Sequence, residues 1–217
     1  SVGCLHIRPL INLKESDGVG DMRDLAREVV DLVKDYNGAL SGEHGDGRSR
    51  SEWLDDFYGE SLTQLFHDIK TAFDPDIRLN PGNVVEPERM DRNLRYGAEY
   101  EAHPPETVQD FEIQGGFEEI VERCNGSAVC RKENSGTMCP SYMVTGEEQH
   151  STRGRANLLR GLMDGDVSSE ALSDGRAESV MELCISCKAC KSECPSEVDM
   201  APLKEETMHR VHQEKGA

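Results

Sequence analysis

Four closely spaced cysteines in the last quarter of the chain constrain its fold more than any other sequence feature. They are Cys184, Cys187, Cys190 and Cys194, and Pro195 follows directly, so the spacing is C-x2-C-x2-C-x3-C-P. In this spacing three thiolates wrap one corner of an iron–sulfur cubane, and the cysteine before the proline turns towards a second cluster. A zinc ribbon needs two well-separated C-x2-C pairs instead. The run therefore predicts iron–sulfur ligation rather than a zinc site or a disulfide framework.

A second set of cysteines lies earlier in the chain and echoes the first. Cys124 and Cys130 are spaced C-x5-C, which equals the first-to-third distance of the downstream run, and Ser127 takes the middle position. Cys139 then stands before a proline, as Cys194 does. Crossing the two proline-flanked cysteines between the runs predicts two sites. The first is a [4Fe–4S] site of Cys139, Cys184, Cys187 and Cys190, and the second is a site of Cys124, Cys130 and Cys194.

The second site has only three thiolates, so its cluster type is open from the sequence. Three thiolates fit a [3Fe–4S] cluster, because one missing corner ligand leaves one iron labile. A similar C-x5-C beside a complete run holds a three-iron cluster in the iron–sulfur subunit of succinate dehydrogenases. Alternatively, Ser127 or another group completes a second four-iron cluster. In a third interpretation Cys124 and Cys130 ligate nothing, and a single cluster remains.

Composition excludes several functions. Of the 8 cysteines, 7 lie within the two runs, and the 217 residues carry a formal net charge of -18. Such an acidic surface repels nucleic acid and anionic membranes. No apolar run approaches the ~18 residues that a membrane span needs, so we expect no direct membrane insertion. The chain starts at Ser1 without a visible signal peptide, and we expect an internal fragment of a longer cytoplasmic protein, with peripheral attachment at the inner membrane face as the alternative.

The pattern divides the chain into three parts. Residues 1–85 alternate strand-like and helix-like segments, with strands at 4–13 and 39–40 and helices at 21–36 and 62–73, so we expect an α+β domain. Residues 86–115 lack an apolar period and are predicted to be a linker. Residues 116–217 are predicted to form an all-α, ferredoxin-like two-cluster domain, with helices at 117–123, 151–163, 176–183 and 201–212.

The amino-terminal half carries a different chemistry on the glycine-rich loop 41–48. Glu43 and His44 are adjacent there, and His6 lies upstream in the predicted strand. A carboxylate with two imidazoles can bind a divalent metal or act in acid–base catalysis. Taken alone, the loop fits equally well as a polar turn with an exposed histidine.

Several motifs in both halves resemble known families. Residues 3–6, 42–47 and 79–84 resemble the C-terminal domain of FAD-linked oxidases, a group that includes D-lactate, D-2-hydroxyglutarate and glycolate dehydrogenases of the vanillyl-alcohol-oxidase superfamily. Residues 138–142 and 151–156 resemble the iron–sulfur subunit of glycolate oxidase. Large proteins fuse the two, and the chain resembles the junction of such a fusion, with an FAD-binding domain before it and a cysteine-rich domain after it.

The resemblance implies roles for four residues of the amino-terminal half. His6 and Glu43 would ligate a divalent metal such as zinc, which holds the hydroxyl and carboxylate of the substrate, and another histidine ligand would lie just before Ser1. His44 matches the proposed base that takes the hydroxyl proton. Asn80 matches a position near the isoalloxazine ring of FAD.

The function implied by this resemblance is that of a flavin- and iron–sulfur-dependent dehydrogenase. It would oxidise a D-2-hydroxy acid of the lactate, glycolate or 2-hydroxyglutarate type to the 2-oxo acid and pass electrons from FAD through the clusters to an unknown acceptor. Without an FAD domain the fragment itself is expected to be inactive. Two alternatives are an electron-transfer module of another redox complex and a zinc-stabilised interaction protein.

Overall fold

The computed structural model describes residue 3 and residues 6–216, which form two compact units, Ser1–Tyr100 and Glu101–Ala217. Each unit has its own buried cluster of apolar side chains. No helix of the described residues combines the length and the apolar composition needed to cross a membrane.

In its described residues, the first unit contains one long α-helix, one of intermediate length and two short ones. They are α1 (Ser16–Asp35), α2 (Gly47–Arg50), α3 (Leu54–Tyr58) and α4 (Glu60–Phe73). The first helix has apolar residues at helical spacing, an aspartate in its first turn and a lysine in its last, which complement the helix dipole. Its Val30 packs with Leu40, Trp53 and Leu54 in a small core.

The predicted α+β class is wrong for the part of the chain that the structure describes, since residue 3 and residues 6–216 contain helices and turns but no strand. Residues 6–13 are irregular, and Cys4 and Leu5 of the predicted strand lie outside the described residues. A strand needs a neighbouring strand for its backbone hydrogen bonds, and Pro9 removes one donor besides. The alternating apolar side chains cover no sheet here, and Ile7 and Leu10 are 82% and 100% exposed.

The turn after α4 is fixed by one carboxylate. Asp74 accepts hydrogen bonds from the backbone amides of Arg78 and Leu79, with N–O distances of 3.0 and 2.8 Å, and pairs with Lys70 at 2.7 Å. The Lys70 ammonium and these two amides lower the pKa of Asp74 from 3.8 to about 2. The turn leads directly into Asn80, whose backbone is left-handed (φ 53°).

The second unit is helical and encloses the cysteines. Its helices are α5 (Phe117–Glu122), α6 (Pro140–Thr145), α7 (Thr152–Asp164), α8 (Arg176–Glu182), α9 (Ala189–Glu193) and α10 (Met200–Lys215). The four helices predicted from apolar periodicity correspond to α5, α7, α8 and α10. Two short helices were not predicted: α6, which directly follows Cys139, and α9, which lies between Cys187 and Cys194. Six of the seven cysteines of this unit belong to its apolar core or pack against it, so the predicted metal ligands and the core occupy the same space.

The backbone of residues 108 and 109 is anchored within the second unit by Glu206 of α10. This carboxylate is 1% exposed and accepts hydrogen bonds from the amides of Val108 (3.2 Å to either oxygen) and Gln109 (3.1 Å). A buried carboxylate is tolerated when such donors satisfy it. Phe111 is also buried in the core of this unit.

Candidate metal centres

The first cavity of the second unit is lined by four cysteines, Cys139, Cys184, Cys187 and Cys190. Cys139 precedes α6, whose first residue is a proline, and Cys190 lies within α9. Cys184 and Cys187 lie in the loop between α8 and α9, where Ser186 and Lys188 adopt left-handed backbone conformations that curl the loop around the cavity. Cys187 is exposed, whereas the other three are buried.

The second cavity is lined by the other three cysteines, Cys124, Cys130 and Cys194, and by Ser127. Cys124 follows α5, Cys130 lies in the 3-10 turn Val129–Arg131, and Cys194 follows α9. Each run therefore contributes its proline-flanked cysteine to the other run's cavity. The structure thus brings together the two sets that the crossing of the runs predicts. Ligation by these residues stays a prediction.

The amino-terminal end of α7 lies between the two cavities. Thr152 at its start and Met138 line both of them, and each is 2% exposed. Ser151 caps the helix, since its hydroxyl accepts from the Gly154 amide at 2.9 Å. The positive end of the helix dipole therefore faces the space between the sites, where it favours negative charge.

Backbone amides donate hydrogen bonds to one sulfur in each cavity. The Arg153 amide donates to Cys130 Sγ and the Met200 amide donates to Cys190 Sγ, both at 3.4 Å. Donors aimed at sulfur stabilise a thiolate and the clusters that thiolates hold.

Two arginines of α7 have different surroundings. Arg155 is fully buried and donates to Cys139 Sγ (3.4 Å), Ser141 Oγ (3.0 Å) and the Val180 carbonyl (2.9 Å). Arg153 instead pairs with both carboxylate oxygens of Glu148, at 2.7 and 2.9 Å. The guanidinium of Arg155 is thus directed at a predicted ligand of the first cavity, and that of Arg153 at a carboxylate.

These surroundings divide the thiols into two kinds. Burial alone would raise the pKa of Cys139, but the Ser141 hydroxyl and the Arg155 guanidinium outweigh it, and this pKa is lowered. Burial raises the pKa of Cys130 and of Cys190, against the opposing effect of the amides that reach their sulfurs. A converging set of soft sulfur donors with amides aimed at them fits iron–sulfur clusters, and the residues present therefore suit the predicted cofactors.

The sequence pattern did not reveal what holds the loop before Cys139. The Glu193 carboxylate of α9 accepts from the amides of Thr137 (2.8 Å) and Met138 (3.3 Å). Ser141 lies in the motif at residues 138–142, and its hydroxyl donates to the His150 carbonyl at 2.7 Å. The hydrogen bonds of Glu193 join residues 55 and 56 positions apart, so no local sequence pattern indicates them. Ser141, in contrast, lies two residues after Cys139, where a local pattern can indicate it.

In the first unit, the structure brings His6, Glu43 and His44 together. His6 Nε2 lies 3.0 Å from Glu43 Oε1, and the rings of His6 and His44 meet edge to face with centroids 5.8 Å apart. One potential ligand atom from each lies within 4.8 Å of the others. An imidazole and a carboxylate are donors that zinc and similar divalent ions accept, so His6 and Glu43 suit the predicted metal, and His44, the predicted base, lies beside them.

Asn80, the predicted flavin-side residue, lies in the exposed turn after α4. Its Oδ1 accepts a hydrogen bond from Asn83 Nδ2 at 3.0 Å. Its placement near a flavin stays a prediction.

Comparison with known families identifies the class of each half. Residues 2–84 match the model of the C-terminal domain of FAD linked oxidases, and residues 123–199 match that of the 4Fe-4S dicluster domain. The chain therefore joins a segment that matches the C-terminal domain of FAD linked oxidases to one that matches a 4Fe-4S dicluster domain, as the motifs predicted. FAD and iron–sulfur clusters are confirmed as the cofactor classes of these domains, whereas the divalent metal and the three-iron form of the second cluster stay predictions.

Among curated proteins, the chain is similar to the D-2-hydroxyglutarate dehydrogenases of Escherichia coli, with 29% identity over 245 residues, and of Pseudomonas putida, with 30% over 244 residues. Each match covers 97% of this chain and 24% of the relative, so the chain spans about a quarter of their length. It is also 38% identical over 78 residues to the probable glycolate oxidase iron-sulfur subunit of Bacillus subtilis, covering 36% of this chain and 17% of that protein. No solved structure matches the chain.

Proposed function

We propose that the chain is part of a flavin- and iron–sulfur-dependent dehydrogenase that oxidises a D-2-hydroxy acid to the 2-oxo acid. The observation that carries the proposal is the exchange of proline-flanked cysteines between two cavities, in a chain whose other half gathers two histidines and a glutamate. The cysteine cavities suit clusters that carry one electron at a time. The two histidines and the glutamate suit the binding and deprotonation of a hydroxy acid. Relatives of both halves bear the names of hydroxy-acid dehydrogenases and glycolate oxidase.

On the flavin side, His6 and Glu43 hold a divalent cation that orients the hydroxyl and the carboxylate of the substrate. His44 lies next to Glu43 and takes the hydroxyl proton on its imidazole. When bound, the metal would lower the pKa of the hydroxyl and FAD would supply the hydride acceptor. Asn80 would contribute to the flavin site from its turn, and the longer protein would supply the remainder of that site.

On the iron–sulfur side, the two cysteine cavities hold the clusters that carry electrons singly from the flavin to an acceptor of unknown identity. The first cavity provides four thiolates for a [4Fe–4S] cluster. The second provides three, which suits a [3Fe–4S] cluster, and Ser127 or another group of this cavity would have to ligate a fourth iron. We place the protein in the cytoplasm.

A matched pair of cysteine variants tests the exchange of ligands. We expect Cys139→Ser to remove the reduced four-iron EPR signal of the first site and Cys194→Ser to remove only the signal of the second site. Iron and acid-labile sulfide of the anaerobic protein are measured in parallel. Loss of the first-site signal in Cys194→Ser, with Cys139→Ser unaffected, would refute the crossed assignment. Zinc without iron or sulfide would favour a zinc-stabilised interaction protein.

A second experiment tests the chemistry of the first unit in the longer protein. We expect His44→Gln to abolish the bleaching of flavin absorbance by D-2-hydroxy acids while the clusters remain reducible by dithionite. His67→Gln is the control, because His67 lies on α4 outside the His6–Glu43–His44 cluster. Unchanged flavin reduction in His44→Gln would favour an electron-transfer module that serves another enzyme.

A further inference from the structure

Arg155 is a fully buried cation without a buried carboxylate to balance it. Its side chain is 0% exposed, yet no carboxylate in residues 6–216 forms an ion pair with it. Its three partners are a sulfur, a hydroxyl and a carbonyl. A buried guanidinium cannot lose its proton. The folded protein therefore needs a negative charge other than a carboxylate close to Arg155.

The first cavity can supply this negative charge, because thiolates line it. Arg155 lines this cavity together with all four cysteines, and its Nη1 donates to Cys139 Sγ at 3.4 Å. A second nitrogen is fixed by Ser141 Oγ and the third by the Val180 carbonyl, so the guanidinium has little freedom to turn elsewhere. The charge that Arg155 balances is therefore that of the thiolates and of whatever they hold.

We propose that Arg155 is a positioning residue that raises the reduction potential of the cluster in the first cavity. The proposal rests on the proposed function, because it requires a cluster there. One-electron reduction makes the cluster one unit more negative, and the electron comes from the flavin or, in the test below, from dithionite. A fixed buried cation stabilises the more negative, reduced form more than the oxidised form, because the low local dielectric strengthens their attraction.

Arg153 provides the natural comparison, because it lies two residues earlier on the same helix. Its guanidinium is paired with Glu148, at 2.7 and 2.9 Å, and the exposed Arg131 approaches the same carboxylate at 3.2 Å. The positive charge left over in this group is in contact with solvent, which screens it, and the backbone amide of Arg153 rather than its guanidinium donates to a sulfur of the second cavity. The two sites differ in that only the first has an uncompensated buried cation.

The test is an EPR-monitored potentiometric titration of the anaerobically reconstituted chain with Arg155→Gln, Arg155→Lys and the control Arg153→Gln. We expect Arg155→Gln to shift the reduction equilibrium of the first cluster at least tenfold towards the oxidised form, about 59 mV for one electron. Arg155→Lys should recover most of that shift, because it keeps the charge. Arg153→Gln should leave the potential of the first cluster unchanged.

Each outcome decides the proposal. An unchanged potential in a loaded Arg155→Gln protein overturns it, and so does an equal shift in Arg153→Gln, which would reflect net charge alone. If Arg155→Gln does not hold the cluster, a loaded Arg155→Lys protein with a near wild-type potential supports it. Loss of the cluster from both variants overturns it, because the charge would then be insufficient. A wild-type chain without iron would refute the proposed function instead.

Discussion

Replacing Glu206 by alanine should loosen the segment that this carboxylate anchors in the second unit. Glu206 is 1% exposed and accepts from the amides of Val108 and Gln109. A hydrogen bond to a charged group contributes about 1.5–3 kcal/mol, and an orphaned buried amide costs a similar amount. Because Val108 is itself 74% exposed, water replaces part of the loss. We therefore expect a local cost of about 2 kcal/mol for the two amides together.

Hydrogen exchange of the reconstituted chain measures this local cost without requiring reversible global unfolding. A loss of about 2 kcal/mol should speed exchange at residues 108 and 109 by about 30-fold. Glu205→Ala is the matched control, because Glu205 is the neighbour on α10 and accepts from the side-chain amide of Gln109, at 3.2 Å, rather than from a backbone amide. Equal protection of both amides in wild type and Glu206→Ala would refute the reasoning. Equal loss in both variants would show that the helix surface, rather than the buried carboxylate, anchors the segment.

Three further predictions concern local structure. Asp74 has its pKa lowered to about 2, so its stabilising contribution is complete above pH 4 and is lost as the pH falls from 4 to 2. Wild type should therefore lose more thermal stability than Asp74→Asn over that pH range. A Cβ on Gly154 would lie 2.1 Å from the Glu148 carbonyl oxygen, so Gly154→Ala should destabilise the second unit by at least about 1–3 kcal/mol in denaturant unfolding and reduce iron content. Gly20→Ala meets no atom within 4 Å in α1 and should instead stabilise the first unit by about 0.5–1 kcal/mol; destabilisation there would contradict the argument.

Helices could be predicted from the sequence where they have an apolar face. The prediction of strands was wrong for a physical reason. The period of α1 and α7 is a local property that one chain segment carries by itself. A strand is defined by its neighbour, and the apolar alternation of residues 6–13 says nothing about whether a neighbour exists. Pro9 fits an edge strand and an irregular segment equally well, so it does not decide between them.

The candidate site was predictable to the extent that cysteine spacing determines it. The exchange of Cys139 and Cys194 followed from the two cysteine–proline pairs, and the structure places both residues accordingly. The roles of the two arginines were not predictable. Residues two apart on a helix point about 200° from each other, so Arg153 and Arg155 had to face different surroundings. Which of them faced a carboxylate depended on the packing of the 3-10 turn Glu148–His150 and of α8 against α7, and the sequence does not specify that.

The exchange of cysteines has a consequence for the timing of maturation. Under the proposed ligation, the first cluster joins Cys139 to the loop that ends at Cys190, and the second joins Cys124 to Cys194. Neither inorganic core can be closed from one stretch of nascent polypeptide. During synthesis, the earlier cysteines must stay reduced and unoccupied until the later ones have left the ribosome, so both inorganic cores are inserted late and nearly together.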